Sequence, residues 1–425
     1  MPLLDLLANP NTQWVLVGTM LLGITSGVLG SFALLRRQSL LGDAMSHAAL
    51  PGICIAFIIV GSKEMLPLII GAGITAYIGT YLIQAFVKHS RIKTDTAIGL
   101  VLSVFFGIGI VLLTYINRNA TGNQSGLNEF IFGQAAAMVR SDVNLFVIAA
   151  IALLTITFLL FKELKIITFD REFAQGLGLP TVFINGLLMT MIVASVVIGL
   201  QAVGVVLMAA MLIAPAITAK YWTDRLDVMV ILSGVVGGLS GLLGTLISAP
   251  ISGMPTGPLI IVSSCSLFFL SLIFAPKKGL LTKAIRLMKL RRSTGDNQVM
   301  QGMYEFIEDT DRDTLSFEDL IRVQPLSGLR LQQTIKRLQK RNLLHPSSET
   351  YQFTDKGIKA AHQITLNQRM LQMYSMHEMQ FAHLPMEKNN WDFLSLPNSE
   401  QQPLFELLTK HELFPSVLQE RNEDR

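Results

Sequence analysis

Nine successive runs of about 20 apolar residues constrain this chain more than any other feature. They fall at approximately 14–35, 40–60, 65–87, 94–116, 142–161, 181–200, 203–221, 227–248 and 257–275. An α-helix rises about 1.5 Å per residue, so each run can cross a hydrocarbon core about 30 Å thick. Lipid offers no partner for backbone N–H and C=O groups, so a span must satisfy them internally, as a helix does. Only 15% of the 425 residues are charged, against about 25% in soluble domains. The expected fold class is therefore an all-α polytopic membrane protein of about nine transmembrane helices, with a cytoplasmic domain appended.

Charge is divided unevenly. Residues 1–292 hold 20 Lys+Arg and 11 Asp+Glu, whereas residues 293–425 hold 14 and 19. Two environments follow. The expected division is a membrane domain over 1–276, a basic amphipathic segment and linker over 277–298, a further domain over 299–384 and a tail over 385–425. Met1 to Gln13 carry no Lys or Arg, so the first run is expected to be kept as a span rather than removed as a leader. Cys54 and Cys265 sit in apolar runs far apart and read as small core residues rather than a disulfide.

Basic residues accumulate in alternate loops: Arg36 and Arg37; Lys88, Arg91 and Lys93; Lys162, Lys165 and Arg171; Lys220 and Arg225; then seven from Lys277 to Arg292. The intervening loops hold only Lys63, Arg118 and Arg140. Cytoplasmic loops collect Lys and Arg, so the N-terminus is expected outside and the C-terminal part in the cytoplasm. An odd number of spans agrees with that alternation. The external stretch 117–140, with Gly122, Gly126, Asn128, Glu129 and Gly133, is too polar and broken for a span. It is either a surface loop or a re-entrant helix covered by protein or water. Glycines 234, 237, 238, 241 and 244 share one run and predict close helix packing, because small residues let backbones approach in lipid.

Ionisable residues within the apolar runs are few, and such residues usually mark a path. The clearest pair is Asp43 and His47, in Gly42-Asp43-Ala44-Met45-Ser46-His47-Ala48-Ala49-Leu50-Pro51-Gly52. Their i, i+4 spacing puts both on one helix face, one turn apart. Counting from Arg37 places His47 about 15 Å deep, near the midplane. Pro51 and Gly52 are expected to break the helix just beyond, freeing carbonyls that can line a cavity. The pair can hold a divalent metal in transit, or it can satisfy itself and lock two helices together. The scarcity of other buried charge favours the metal. Oxygen and nitrogen ligands without thiolate suit Mn²⁺, Fe²⁺ or Zn²⁺ and argue against Cu⁺. Met45 and Met208 read as packing. No tightly bound cofactor is expected.

The inner loop from Phe169 to Pro180 predicts a short helix: Asp170 as N-cap, then Arg171, Glu172, Phe173 and Ala174, with Gly176 and Gly178 as the stop. It is either a partner-docking helix or a connector. No Gly-x-x-x-x-Gly-Lys-Ser/Thr loop occurs, so the chain cannot hold ATP through that motif. It is not expected to be an enzyme, and any ATP-driven step would belong to a separate subunit.

Three stretches resemble the metal-type ABC permease family. They are Leu35 to Gly52, the Asp170–Gly178 loop, and Gln201-Ala202-Val203-Gly204-Val205-Val206-Leu207 running on to Leu212-Ile213-Ala214-Pro215-Ala216. The resemblance covers roughly residues 10–280 and is strongest to the family's manganese permeases with an appended domain. It implies an importer subunit for a divalent transition metal, with Mn²⁺ favoured over Zn²⁺ or Fe²⁺. It also implies an ABC ATPase partner, a metal-binding lipoprotein partner and a homodimer of permeases. Asp43 and His47 would be the in-membrane metal residues, and 170–178 the helix that couples to the ATPase.

The tail predicts a basic amphipathic stretch over 277–292 lying on anionic lipid and a linker at Gly295-Asp296-Asn297. Helices follow at 299–308, 316–323 and 329–342, then a two-stranded wing over 343–354. That order resembles a winged helix-turn-helix of the diphtheria-toxin-repressor type, down to Thr354-Asp355-Lys356-Gly357. Where such regulators carry metal ligands this chain has Gln368 and Gln372, which disfavours metal sensing there. Arg330, Lys336, Arg337, Lys340 and Arg341 suit a DNA-reading helix, yet the region is net acidic and phosphate contacts dominate DNA affinity. Nucleic acid is therefore a disfavoured partner. The competing classes are a membrane-tethered regulator and a gradient-driven transporter; scarce intramembrane carboxylates oppose the latter.

Overall fold

The computed structural model describes residues 10–36, 38, 40–61, 65–119, 133, 138, 140–251, 254–310, 312–323, 327–345, 350–381 and 398–417. Two compact units divide the chain, Met1–Lys283 and Ala284–Arg425.

In the first unit the apolar runs form α1 (Pro10–Leu35), α2 (Leu41–Val60), α3 (Met65–His89), α4 (Thr94–Asn119) and α5 (Arg140–Leu159). Two short helices follow, α6 (Phe161–Phe169) and α7 (Arg171–Gly176). Then come α8 (Thr181–Val203), α9 (Val205–Trp222), α10 (Leu226–Ser248) and α11 (Thr256–Phe274). Among the described residues eight helices are long and apolar enough to cross a membrane: α1 to α5, α8, α10 and α11. The nine expected spans therefore become eight there. The run at 203–221 is α9, 18 residues long with Pro215 inside it. The 117–140 question falls largely outside the described residues. Both cysteines are free.

The expected glycine packing is a seam between α1 and α10. A Cβ on Gly23 would stand 2.1 Å from the Gly237 carbonyl oxygen, and one on Gly237 would stand 2.0 Å from that of Gly23. No side chain fits there, so backbone meets backbone. Ser233 Oγ donates to the Gly27 carbonyl at 2.6 Å, and the Thr19 and Thr245 hydroxyls pair at 2.9 Å. Helix α9 packs on α1, α10 and α11, with Met208, Met211, Leu212 and Ala216 fully buried. Helix α2 is flanked by α3, α4 and α9.

The second unit begins within α12 (Leu280–Thr310). It continues through β1 (Leu315–Ser316), α13 (Phe317–Val323), α14 (Gly328–Lys340), β2 (Thr350–Tyr351), α15 (Asp355–Met376) and α16 (Asn398–Lys410). Two expectations change. First, the linker at 295–297 is helical, because α12 runs unbroken from the basic stretch to Thr310. One helical Gly costs only about 1 kcal/mol, and Val299, Met300, Met303, Tyr304 and Ile307 bury just beyond it. Second, the two-stranded wing is a single antiparallel bridge, Leu344 to Phe353, while β2 pairs with the upstream β1. In the tail, α16 packs Leu404 and Leu408 against Leu366, Met370 and Met373.

Glu308 fastens this unit to its own C-terminal end. It pairs with Arg369 and accepts from Ser416 N at 2.8 Å. Burial alone would raise its pKa, but the Arg369 and Ser416 hydrogen bonds win and hold it below the usual range. A depressed carboxyl pKa contributes stability that is complete above about pH 4.5 and lost as pH falls through the depressed value. Hydrogen exchange at the Ser416 amide, corrected for its intrinsic pH dependence, is expected to quicken in that acid window, and Glu308→Gln to remove the transition.

Candidate functional site

Asp43 and His47 lie in the first half of α2, on one face as the spacing required. His47 Nε2 stands 3.4 Å from Asp43 Oδ1, with the histidine side chain 13% and the carboxylate 35% exposed. That gap exceeds the about 2.7–3.2 Å of a good N–H···O bond, so the two groups are neighbours that do not fully satisfy each other. His47 Nδ1 is buried with no hydrogen-bond partner. A buried, unpartnered imidazole nitrogen is costly in apolar surroundings. Phe106 of α4 packs edge-on against the ring, centroids 4.7 Å apart at 81°, which fixes the imidazole plane.

The sequence expected a break at Pro51 and Gly52. Instead α2 continues through both to Val60. Proline has no N–H for the carbonyl four residues back, and that carbonyl belongs to His47. Proline therefore leaves the carbonyl of the very residue that carries the imidazole without its usual helical donor. Gly52 serves packing: a Cβ there would meet the Gly71 carbonyl at 2.1 Å, so it admits α3. Gly42 likewise admits Leu212 of α9. The sequence singled out the pair and expected carbonyls released near Pro51, but gave no sign of Phe106. Met45 and Met208 are buried packing residues. Among the described residues no group of three or more His, Cys, Asp or Glu side chains could hold a metal. The pair brings one carboxylate and one imidazole to the same face of α2.

At a separate place, Asp170 caps α7, its Oδ1 accepting from Phe173 N at 2.8 Å. Ala174 is buried beneath the helix, while Arg171, Glu172 and Phe173 stand exposed, Phe173 at 58%. Gly176 ends the helix, and Gly178 takes φ +77°, a left-handed turn. Arg36 donates to Asn185 of α8, tying the end of α1 to the element that follows this loop.

Eight helices long and apolar enough to span a bilayer define a multi-pass membrane protein among the described residues. The ABC 3 transport family matches residues 8–275, and the chain belongs to that family. It is 49% identical over 410 residues to the manganese transport system membrane protein MntC of Bacillus subtilis (strain 168), covering 96% of this chain and 94% of that one. It is 42% identical over 279 residues to the zinc transport system membrane protein TroC of Treponema pallidum (strain Nichols), covering 66% and 94%. The solved structure of PsaBC from Streptococcus pneumoniae in complex with Fab superimposes with a TM-score of 0.59 at 32% identity, covering 67% of this chain and 98% of that one.

Proposed function

We propose that the chain is the permease subunit of an ABC importer for a divalent transition metal, with Mn²⁺ as cargo. The observation that carries the metal path is the Asp43–His47 pair with its unpartnered Nδ1. Manganese rests on the 49% identity to a manganese permease over nearly the whole chain. Zinc is the second reading, favoured by the 42% identity to a zinc permease. ATP hydrolysis belongs to a partner ATPase, and delivery to a metal-binding lipoprotein. Two permeases face each other as a homodimer, each bringing one Asp–His pair; the exposure of Asp43 supports a face awaiting further ligands. The N-terminus lies outside and residues 284–425 in the cytoplasm, with α9 as the ninth crossing. The loop charge bias supports this orientation.

Helix α7 is the coupling element, its exposed Phe173 and the adjoining Leu177 filling a cleft of the ATPase. Phe173→Asp is expected to abolish co-purification of the ATPase while leaving membrane insertion intact; unchanged co-purification removes that role. Residues 299–384 form a winged-helix-like unit, a reading supported by the order α12, β1, α13, α14, β2, α15. DNA binding is the disfavoured reading, because Arg337 and Arg341 are engaged by the unit's own Asp296. Uptake in vesicles holding the reconstituted complex, with Mn²⁺, Zn²⁺ and Fe²⁺ in competition, tests the cargo. Accumulation of none of them overturns the proposal.

A further inference from the structure

The second unit carries a groove of about 690 Å³ between α12 and α14. Its α12 wall holds Met288, Arg291, Arg292, Gly295 and Gln298, and its α14 wall holds Arg330, Gln333, Thr334 and Arg337. Leu290 and Thr294 complete the α12 wall. Most of these residues are exposed, and four of them, Arg291, Arg292, Arg330 and Arg337, carry guanidinium groups. Asp296, its side chain 4% exposed, takes Arg337 at 2.8 Å and Arg341 at 3.1 Å. Thr334 Oγ1 accepts from Arg337 at 2.8 Å. Arg337 is thereby held in place at the groove wall. Arg291, Arg292 and Arg330 are exposed and form no ion pair among the described residues. Like charges lining one groove repel, and an anion seated among them offsets that repulsion.

We propose that the α12–α14 groove binds a phosphate-bearing anion, with Arg291, Arg292 and Arg330 contacting it and Asp296 acting as a positioning residue through Arg337. Guanidinium groups match phosphate bidentately, and the volume lies within the about 300–1,000 Å³ of small-ligand sites. Two sources share this chemistry: an anionic lipid headgroup and a soluble phosphate ester. A duplex nucleic acid fits less well, because residues 293–425 carry 19 acidic against 14 basic side chains and would repel a long polyanion. The inference stands apart from the metal path, and neither depends on the other.

The test is phenylglyoxal modification of the full chain in nanodiscs, with each arginine followed by mass spectrometry. One arm uses zwitterionic lipid alone, a second adds pyrophosphate, a third replaces part of the lipid with phosphatidylglycerol, and a fourth adds a mixed-sequence DNA duplex. Sodium chloride matches ionic strength throughout, and exposed Arg322 on α13 is the internal control. Modification of Arg291, Arg292 and Arg330 is expected to slow about threefold at ligand twice its Kd, in the pyrophosphate arm or the phosphatidylglycerol arm, which identifies the source. Arg291→Gln with Arg330→Gln should abolish protection of Arg292, whereas Lys336→Gln with Lys340→Gln should leave it intact. Equal protection by chloride, protection by the duplex alone, or none in any arm overturns the proposal.

Discussion

Asp43→Asn is expected to lower Mn²⁺ uptake at least about tenfold, the equivalent of about 1.4 kcal/mol, without changing how much protein reaches the membrane. The substitution keeps the volume of the side chain and removes its charge. A dication crossing the midplane has lost most of its water, and an anionic oxygen offsets part of that cost. The neutral amide offsets far less. His47→Gln should act in the same direction by removing the nitrogen ligand while filling most of the space beside Phe106. Uptake by the reconstituted complex is the readout, with the detergent-extracted amount as the control. Wild-type uptake in both variants would falsify the path, because each removes one of the two side-chain ligands it assigns to the ion.

The second large effect concerns folding. Gly23→Val or Gly237→Val places a Cβ about 2 Å from a carbonyl oxygen of the facing helix. Backbone cannot yield as a flexible side chain can, so α1 and α10 must separate and take the Thr19–Thr245 and Ser233–Gly27 hydrogen bonds with them. Overpacking of this kind costs on the order of 3 kcal/mol or more, which lowers Tm by about 6–12 °C in a unit of this size. Melting in detergent followed by size-exclusion chromatography measures it. Gly99→Ala, with nothing within 4 Å of its Cβ, should melt like the wild type. Equal melting of all three variants would mean that the seam does not form.

Particular residues show what could be read in advance. The helix-spaced Asp43 and His47 were visible because an i, i+4 pair of ionisable groups has no cheap place in lipid except on a shared face. Asp170, Gly176 and Gly178 marked α7 for a local reason, since capping and left-handed turns depend on side chains a few residues apart. What stayed hidden needed distant partners. Gly295-Asp296-Asn297 looks like a linker until Arg337 and Arg341 arrive to clamp Asp296; with them, the helix survives its glycine. Thr350 and Tyr351 look like half of a hairpin, yet their partner is 35 residues upstream at Leu315 and Ser316. Phe106 carries no sign of its contact with His47, because an aromatic residue on an apolar helix has many equivalent neighbours.

The seam also sets a timetable for biogenesis. Gly23 and Gly237 are separated by more than 200 residues, so the first span enters the bilayer long before its closest neighbour has been synthesised. At about 5–20 residues per second, that is a wait of about 10–40 s with its glycine notch and threonine hydroxyl turned toward lipid or toward whatever shelters nascent chains. A stop codon or ribosomal pause anywhere before α10 would strand that notch open, leaving a fragment that is hydrophobic enough to insert but has nothing to close against.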